Sequence, residues 1–223
     1  MFAAASWRDE GARSYRTAEL SEATWPDFEA LFSRGNGWDH CWCMAGEHRP
    51  RPLPKGFGRL VRAERAVRNH ADKRELLRHG RAHGILVYAG EQPVGWCRLG
   101  PMEGGVWKVT CFVVEKRHRR RGVAGLALRG ALDAIRARGG GLVQAYPTAA
   151  WTHGRERREH AVQVPGVGPV APAWGNFANV SFRGTVSMFQ KEGFRPVAVC
   201  GSSSPRVTDT GARGDQVLMR RRL

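Results

Sequence analysis

The sequence predicts an α/β protein built on one mixed β-sheet. Two features of the pattern carry this. Residues 83–114 hold three apolar, β-branched runs joined by short Gly/Pro turns, the pattern of an antiparallel meander. The last of these runs, ending Cys111-Phe112-Val113-Val114, enters a basic, Gly-containing loop and then an amphipathic helix. A further strand follows, which makes a right-handed β-α-β unit. With 223 residues and a hydrophobic fraction of 42%, the chain is long and apolar enough for one packed core.

The elements follow in order. Residues 1–13 read as an N-terminal extension, and 14–223 as a single domain. Ser14 to Leu20 is a first strand. Thr24-Trp25-Pro26-Asp27 opens a helix, with Thr24 as cap, Pro26 in the first turn and Asp27 three residues on. Trp25, Phe28 and Leu31 or Phe32 share its apolar face. Residues from about 57 to 79 form one or two basic helices. The three meander strands cover His83–Ala89, Val94–Leu99 and Val106–Val114. A helix from Val123 to Arg138 repeats Leu128, Leu132 and Ile135 on one face and stops at Gly139-Gly140-Gly141. Leu142–Tyr146 is the strand after it. A long Gly/Pro-rich loop spans about 147–181. Thr185–Glu192 is a short helix, and Phe194–Val199 and Asp215–Met219 are the last strands.

The loop Glu115-Lys116-Arg117-His118-Arg119-Arg120-Arg121-Gly122-Val123-Ala124-Gly125 carries the chemistry. A helix start leaves several backbone N–H groups unpaired. Together with the helix dipole and five Lys/Arg side chains, they suit a phosphate or pyrophosphate. The P-loop pattern ending Gly-Lys-Ser/Thr is absent, and the dinucleotide pattern Gly-x-Gly-x-x-Gly lacks its first glycine. What is present is Arg119-x-x-Gly122-x-Ala124 between a strand and a helix.

On these residues the chain resembles the GNAT acyltransferases. Pro93-Val94-Gly95-Trp96 is similar to a turn and strand of that family. Ser187-Met188-Phe189-Gln190-Lys191-Glu192-Gly193-Phe194 is similar to its closing helix-Gly-Phe motif. The resemblance covers roughly residues 14–220. It implies a GNAT fold, with six to seven strands splayed between the fourth and fifth and about four flanking helices. It also implies acetyl-CoA, or another acyl-CoA, as acyl donor and an amine as acceptor, without a metal. Backbone groups of Phe112, Val113 and Val114 would serve the pantetheine arm and polarise the thioester carbonyl. Arg119, Arg120, Arg121, Gly122, Val123, Ala124 and Gly125 would cradle the pyrophosphate.

The proton chemistry departs from the family pattern. Phe189 stands where a tyrosine is usual and cannot donate a proton. Tyr146 and Ser187 are the candidate catalytic hydroxyls, with positioning alone as the other reading. Trp38 and Trp42 either line the acceptor pocket or pack beneath the first helix. His40, Cys41 and Cys43 lack the usual spacing of a zinc site, so no metal is expected.

The formal charge of +16 steers anions toward the chain. It admits an acidic partner such as tRNA or a carrier protein, beside the small-molecule amine. A non-catalytic acyl-CoA sensor is the third reading. No run reaches the length of a membrane span, the first residues do not pattern as a signal peptide, and five cysteines make a disulfide scaffold a poor fit. A cytoplasmic enzyme is expected.

Overall fold

The computed structural model describes residues 14–35, 39–44, 59–148, 162–170, 183–200 and 216–223. The expectations for Trp38, for the extension 1–13 and for most of the loop at 147–181 lie outside these residues. Strands β1 (Tyr15–Glu19), β2 (His83–Ala89), β3 (Gln92–Pro101), β4 (Val106–Val114), β5 (Leu142–Ala145), β8 (Arg195–Cys200) and β9 (Gln216–Arg222) form one seven-stranded sheet. Its order is β1-β2-β3-β4-β5-β9-β8. Among the described residues, four α-helices accompany it: α1 (Trp25–Ser33), α2 (Arg59–Arg78), α3 (Val123–Ala137) and α4 (Val186–Lys191). A hairpin of β6 (Val162–Val164) and β7 (Gly168–Val170) lies within the stretch read as a long loop. Among the described residues, no helix is long and apolar enough to cross a membrane.

The chain divides into two compact units. The first comprises Met1–Gly100 and Val113–Ala127, the second Pro101–Phe112 and Leu128–Leu223. In the first unit, β1, β2 and β3 pair antiparallel. Their side chains alternate between two faces, which fixes what each face meets. Leu86 and Trp96 are paired on one face, which packs on α1; the Trp96 ring lies 4.7 Å from Phe28. Gly84 is obligatory here, because a β-carbon would stand 1.9 Å from the Trp96 ring. The other face is held close at Gly95, where a β-carbon would lie 2.5 Å from Val123 at the start of α3.

Helix α1 buries Trp25, Phe28, Leu31 and Phe32, as its period predicts. Each such side chain contributes roughly 1.5–3 kcal/mol of burial. Thr24 is its N-cap, the Thr24 carbonyl accepting from the Phe28 amide at 3.1 Å, but the Thr24 side chain makes no capping bond. Its hydroxyl instead accepts from the Ser21 amide at 2.8 Å and donates to the Glu19 carbonyl at 2.9 Å, fastening the turn out of β1. Helix α2 is one continuous helix, and its buried ridge is polar: Arg65, Asn69 and Lys73, then Leu77, four residues apart. Asn69 donates to the His40 carbonyl at 2.7 Å. An apolar periodicity cannot announce a ridge of this kind.

In the second unit, β4 and β5 are parallel and pair only at Val106↔Leu142, Trp107↔Val143 and Lys108↔Gln144. Beyond Lys108, β4 runs on to Val114 while β5 turns to other partners. Thr148 bridges to Thr185 on one side and Gln216 on the other. The side of β5 that faced β4 thus faces the residues leading into α4. This is the splay between the fourth and fifth strands.

Candidate functional site

The strand that enters the loop is bent at one point. Cys111 takes a left-handed backbone, φ 57°, inside β4. For a residue with a β-carbon this costs roughly 1–2 kcal/mol. Cys111, Phe112 and Val113 are all buried. A left-handed residue inside a strand re-aims the backbone groups that follow it, here those of Phe112, Val113 and Val114.

After Val114 the chain makes a 3-10 turn at Lys116–His118 and then the basic loop. Arg120 (φ 59°) and Gly122 (φ 77°) are both left-handed. The first α-helical bond of α3 runs from the Leu126 amide to the Gly122 carbonyl, 2.9 Å. Gly122 is therefore the N-cap, and the amides of Val123, Ala124 and Gly125 precede any intrahelical acceptor. Arg120, Arg121 and Gly122 are exposed. The space beside Gly122 is open, with no atom within 4 Å of where a β-carbon would lie. Its requirement for glycine is conformational: a side chain at that φ is strained. The helix start, its dipole and the exposed guanidiniums all favour an anion.

Arg119 faces inward instead. Its Nε donates to the Val114 carbonyl at 3.2 Å and so ties the end of β4 to the loop. Burial pulls its guanidinium below its ordinary value, opposed by the Glu115 carboxylate. Glu115, with only 16% of its side chain exposed, also lies 3.4 Å from His118 Nε2. His118 is itself buried, and its Nδ1 meets the Tyr15 hydroxyl at 3.0 Å. The sequence could not separate His118 from its neighbours, because in a run of basic residues a buried imidazole and a solvated one read alike.

The two candidate hydroxyls differ. Tyr146, half-buried, lies two residues beyond the last β4–β5 pair and on the same face as Gln144. The Gln144 amide stands between Tyr146 Oη, at 3.2 Å, and the Arg220 guanidinium, at 3.1 and 3.2 Å. A guanidinium has donors only. It therefore takes the Gln144 oxygen, and the amide NH2 donates to Tyr146. The phenol proton then remains available for another acceptor. The Lys108 ammonium lies over the Tyr146 ring, 5.2 Å from its centroid. Ser187 is exposed at the start of α4, and its hydroxyl pairs with Thr185 Oγ1 at 3.1 Å. Thr185 caps α4 by accepting from the Met188 amide. Ser187 and Tyr146 are not brought into contact.

Phe189 is completely buried, edge-on to Phe112 at 5.9 Å and to Phe194 at 5.0 Å. Just ahead of α4, Gly184 (φ 72°) leaves room for that packing; a β-carbon there would lie 2.5 Å from Met188 and 3.1 Å from Phe189. Arg183 donates to Gln216 Oε1 at 2.6 Å. Burial draws its guanidinium below its ordinary value, with the Cys111 thiol opposing.

Trp42 is buried beneath α1, stacked on Phe32 at 5.7 Å and edge-on to His70 at 4.6 Å. Trp42 and Cys43 are both left-handed, at φ 45° and 47°. Packing beneath the first helix is thus its main contact, with 7% of its surface exposed. Nearby, burial and then Arg62 hold the His40 imidazole below its ordinary value, opposed by Asp39. Among the described residues, no group of three or more His, Cys, Asp or Glu comes together as a metal site.

The model of the acetyltransferase (GNAT) family matches residues 17–154. Among solved structures, the chain is similar to a ribosomal-protein-alanine N-acetyltransferase from Brucella melitensis, at 16% identity, covering 93% of this chain and 99% of that one, with a TM-score of 0.53. It is similar to a putative acetyltransferase of the GNAT family from Desulfovibrio desulfuricans, at 16% identity, 92% and 98% coverage and a TM-score of 0.51. It is also similar to a ribosomal-protein-S5-alanine acetyltransferase from Vibrio fischeri, at 12% identity, 98% and 96% coverage and a TM-score of 0.52. These likenesses establish the shared fold. Comparison with curated proteins finds no match.

Proposed function

Because the chain belongs to the acetyltransferase (GNAT) family, we propose that it transfers an acetyl group from acetyl-CoA to a small-molecule amine by direct attack in a ternary complex. One observation carries this reading. Strand β4, whose pairing with β5 ends at Lys108, runs straight into a helix start whose first amides have no intrahelical acceptor and whose arginines 120 and 121 are exposed. Such a run offers a strand edge to an extended, amide-bearing arm and a cationic cradle to its phosphates.

In this mechanism the backbone amides of residues 120–125 hold the pyrophosphate. Backbone groups of Phe112, Val113 and Val114 pair with the pantetheine arm, and one of their amides stabilises the oxyanion that develops on the thioester carbonyl. The neutral amine attacks the carbonyl carbon, the carbon–sulfur bond breaks, and the acceptor nitrogen gives up a proton. Tyr146 is the favoured donor of a proton to the departing sulfur, because Gln144 donates to its oxygen and so leaves its O–H for another acceptor. The phenol then recovers the acceptor's proton through solvent. The reaction is expected in the cytoplasm.

The test is release of free CoA thiol from acetyl-CoA with a panel of acceptors. The panel holds small amines, amino acids, a peptide with N-terminal alanine, aminoacyl-tRNA and an amine-bearing carrier protein. Turnover with a small amine is expected. Turnover only with tRNA or the carrier protein would move the acceptor to the acidic partners that the +16 charge admits. Tight acetyl-CoA binding with no turnover on any acceptor would make the chain a sensor.

A further inference from the structure

The basic loop is anchored from below by a side-chain relay that the acyl-transfer chemistry does not use. His118 is 3% exposed although it sits in the run Lys116-Arg117-His118-Arg119-Arg120-Arg121. One ring nitrogen meets the Tyr15 hydroxyl of β1 at 3.0 Å, more than a hundred residues away in sequence. The Tyr15 ring stands edge-on to the imidazole, with centroids 5.8 Å apart. The other ring nitrogen lies 3.4 Å from the Glu115 carboxylate. The Tyr15 O–H can donate to Nδ1, and Nε2 then faces the Glu115 carboxylate at 3.4 Å.

Glu115 is an awkward residue beside an anion site. Its carboxylate would repel a pyrophosphate if it swung outward. It is held instead by His118 and by its attraction to Arg119. Meanwhile its own amide donates to the Val94 carbonyl on β3, 2.9 Å, fixing the turn to the sheet. These fastenings lie on the buried side of the turn, whereas Arg120 and Gly122, both left-handed, are exposed.

We propose that Tyr15 and His118 are positioning residues for pyrophosphate recognition: they fix the turn at 115–118 and turn the Glu115 carboxylate away from the anion cradle. The inference rests on the reading of that loop as a pyrophosphate site. Its consequence is selective. Weakening the relay degrades recognition of the pyrophosphate and spares recognition of the pantetheine arm, which depends on β4.

The experiment compares kcat/KM for acetyl-CoA with that for acetyl-pantetheine, which lacks the pyrophosphate, in the parent, Tyr15→Phe and His118→Asn proteins. Tyr15→Phe keeps the ring and removes only the hydroxyl. His118→Asn keeps a short polar group toward Tyr15 and loses the reach to Glu115. The acetyl-CoA over acetyl-pantetheine preference should fall about fivefold in Tyr15→Phe, the worth of one net hydrogen bond. It should fall further in His118→Asn, and Glu115→Gln in that background should recover part of the loss by removing the repelling charge. Thermal melting of each variant reports the fold separately. A lower melting temperature with an unchanged preference would overturn the proposal and make the relay purely structural. No preference in the parent would instead overturn the pyrophosphate reading of the loop.

Discussion

Phe189 stands edge-on to Phe112, their ring centroids 5.9 Å apart, and the position where the related family carries a tyrosine is completely closed to solvent. The ring joins α4 to the strand that would carry the acyl donor. The ring packs and has no proton to give, so in the proposed reaction the proton comes from another group. Phe189→Ala should destabilise the protein by about 3–5 kcal/mol. Phe189→Tyr adds a hydroxyl where the surroundings are aromatic and should cost about 1–3 kcal/mol without raising turnover. Chemical denaturation with parallel rate assays checks both, and a faster Phe189→Tyr enzyme would contradict the assignment of the proton to another group.

Tyr146→Phe removes the hydroxyl that Gln144 orients. If that hydroxyl protonates the leaving sulfur, kcat should fall roughly 100-fold, the usual scale of a general acid, while acetyl-CoA affinity stays near the parent value. Single-turnover rates and equilibrium binding separate the two effects. An unchanged kcat would leave solvent as the proton source.

Gly95 ties the sheet to the anion loop. A β-carbon there would lie 2.5 Å from Val123, the residue that opens α3, and 3.1 Å from Val87. Gly95→Ala should push the helix start off the sheet and cost about 1–3 kcal/mol as overpacking. It should also weaken acetyl-CoA binding more than a similarly crowded change at Gly84, whose β-carbon would meet the Trp96 ring on the opposite face. Comparing calorimetric affinities of the two variants at matched melting temperature tests this.

Alkali should unfold the protein in a defined range. Burial, reinforced by the hydrogen bond to Asp27, pushes the Tyr88 phenol well above its ordinary 10.0. Burial likewise pushes the Cys97 thiol well above its ordinary 9.0. Both groups keep in the folded state protons that the unfolded chain releases, so stability falls as pH rises. The contribution is fully present below the unfolded values and is lost as pH climbs above about 9 for Cys97 and about 10 for Tyr88. Melting temperatures between about pH 8 and 11 should decline, and the slope should be shallower in Tyr88→Phe. An identical slope would show that Tyr88 is not the group responsible.

Much of this was legible in the sequence because period and punctuation are strong there. The strands 83–89 and 106–114 appear as written, and α3 ends one residue before its predicted limit at Arg138. Gly139 to Gly141, all left-handed, explain that stop. Helix α2 was the weak case: its buried ridge is Arg65, Asn69 and Lys73, so hydrophobicity carries no signal. Thr24 takes the N-cap position, but its hydroxyl is recruited by Ser21 and Glu19 rather than by the helix, a local competition invisible to the capping pattern. The left-handed backbone at Cys111 and the burial of His118 escaped for a related reason. Each is set by neighbours distant in sequence, and neither residue type announces it.

The central claim is that the amides at the start of α3 hold the phosphates of acetyl-CoA. Residue-resolved amide NMR during titration with acetyl-CoA tests it most directly. Saturable shifts are expected at Arg121, Gly122, Val123, Ala124 and Gly125, lost when acetyl-pantetheine replaces acetyl-CoA, and shifts at Val113 and Val114 with both. Saturable binding that leaves the amides of 121–125 unmoved would contradict it.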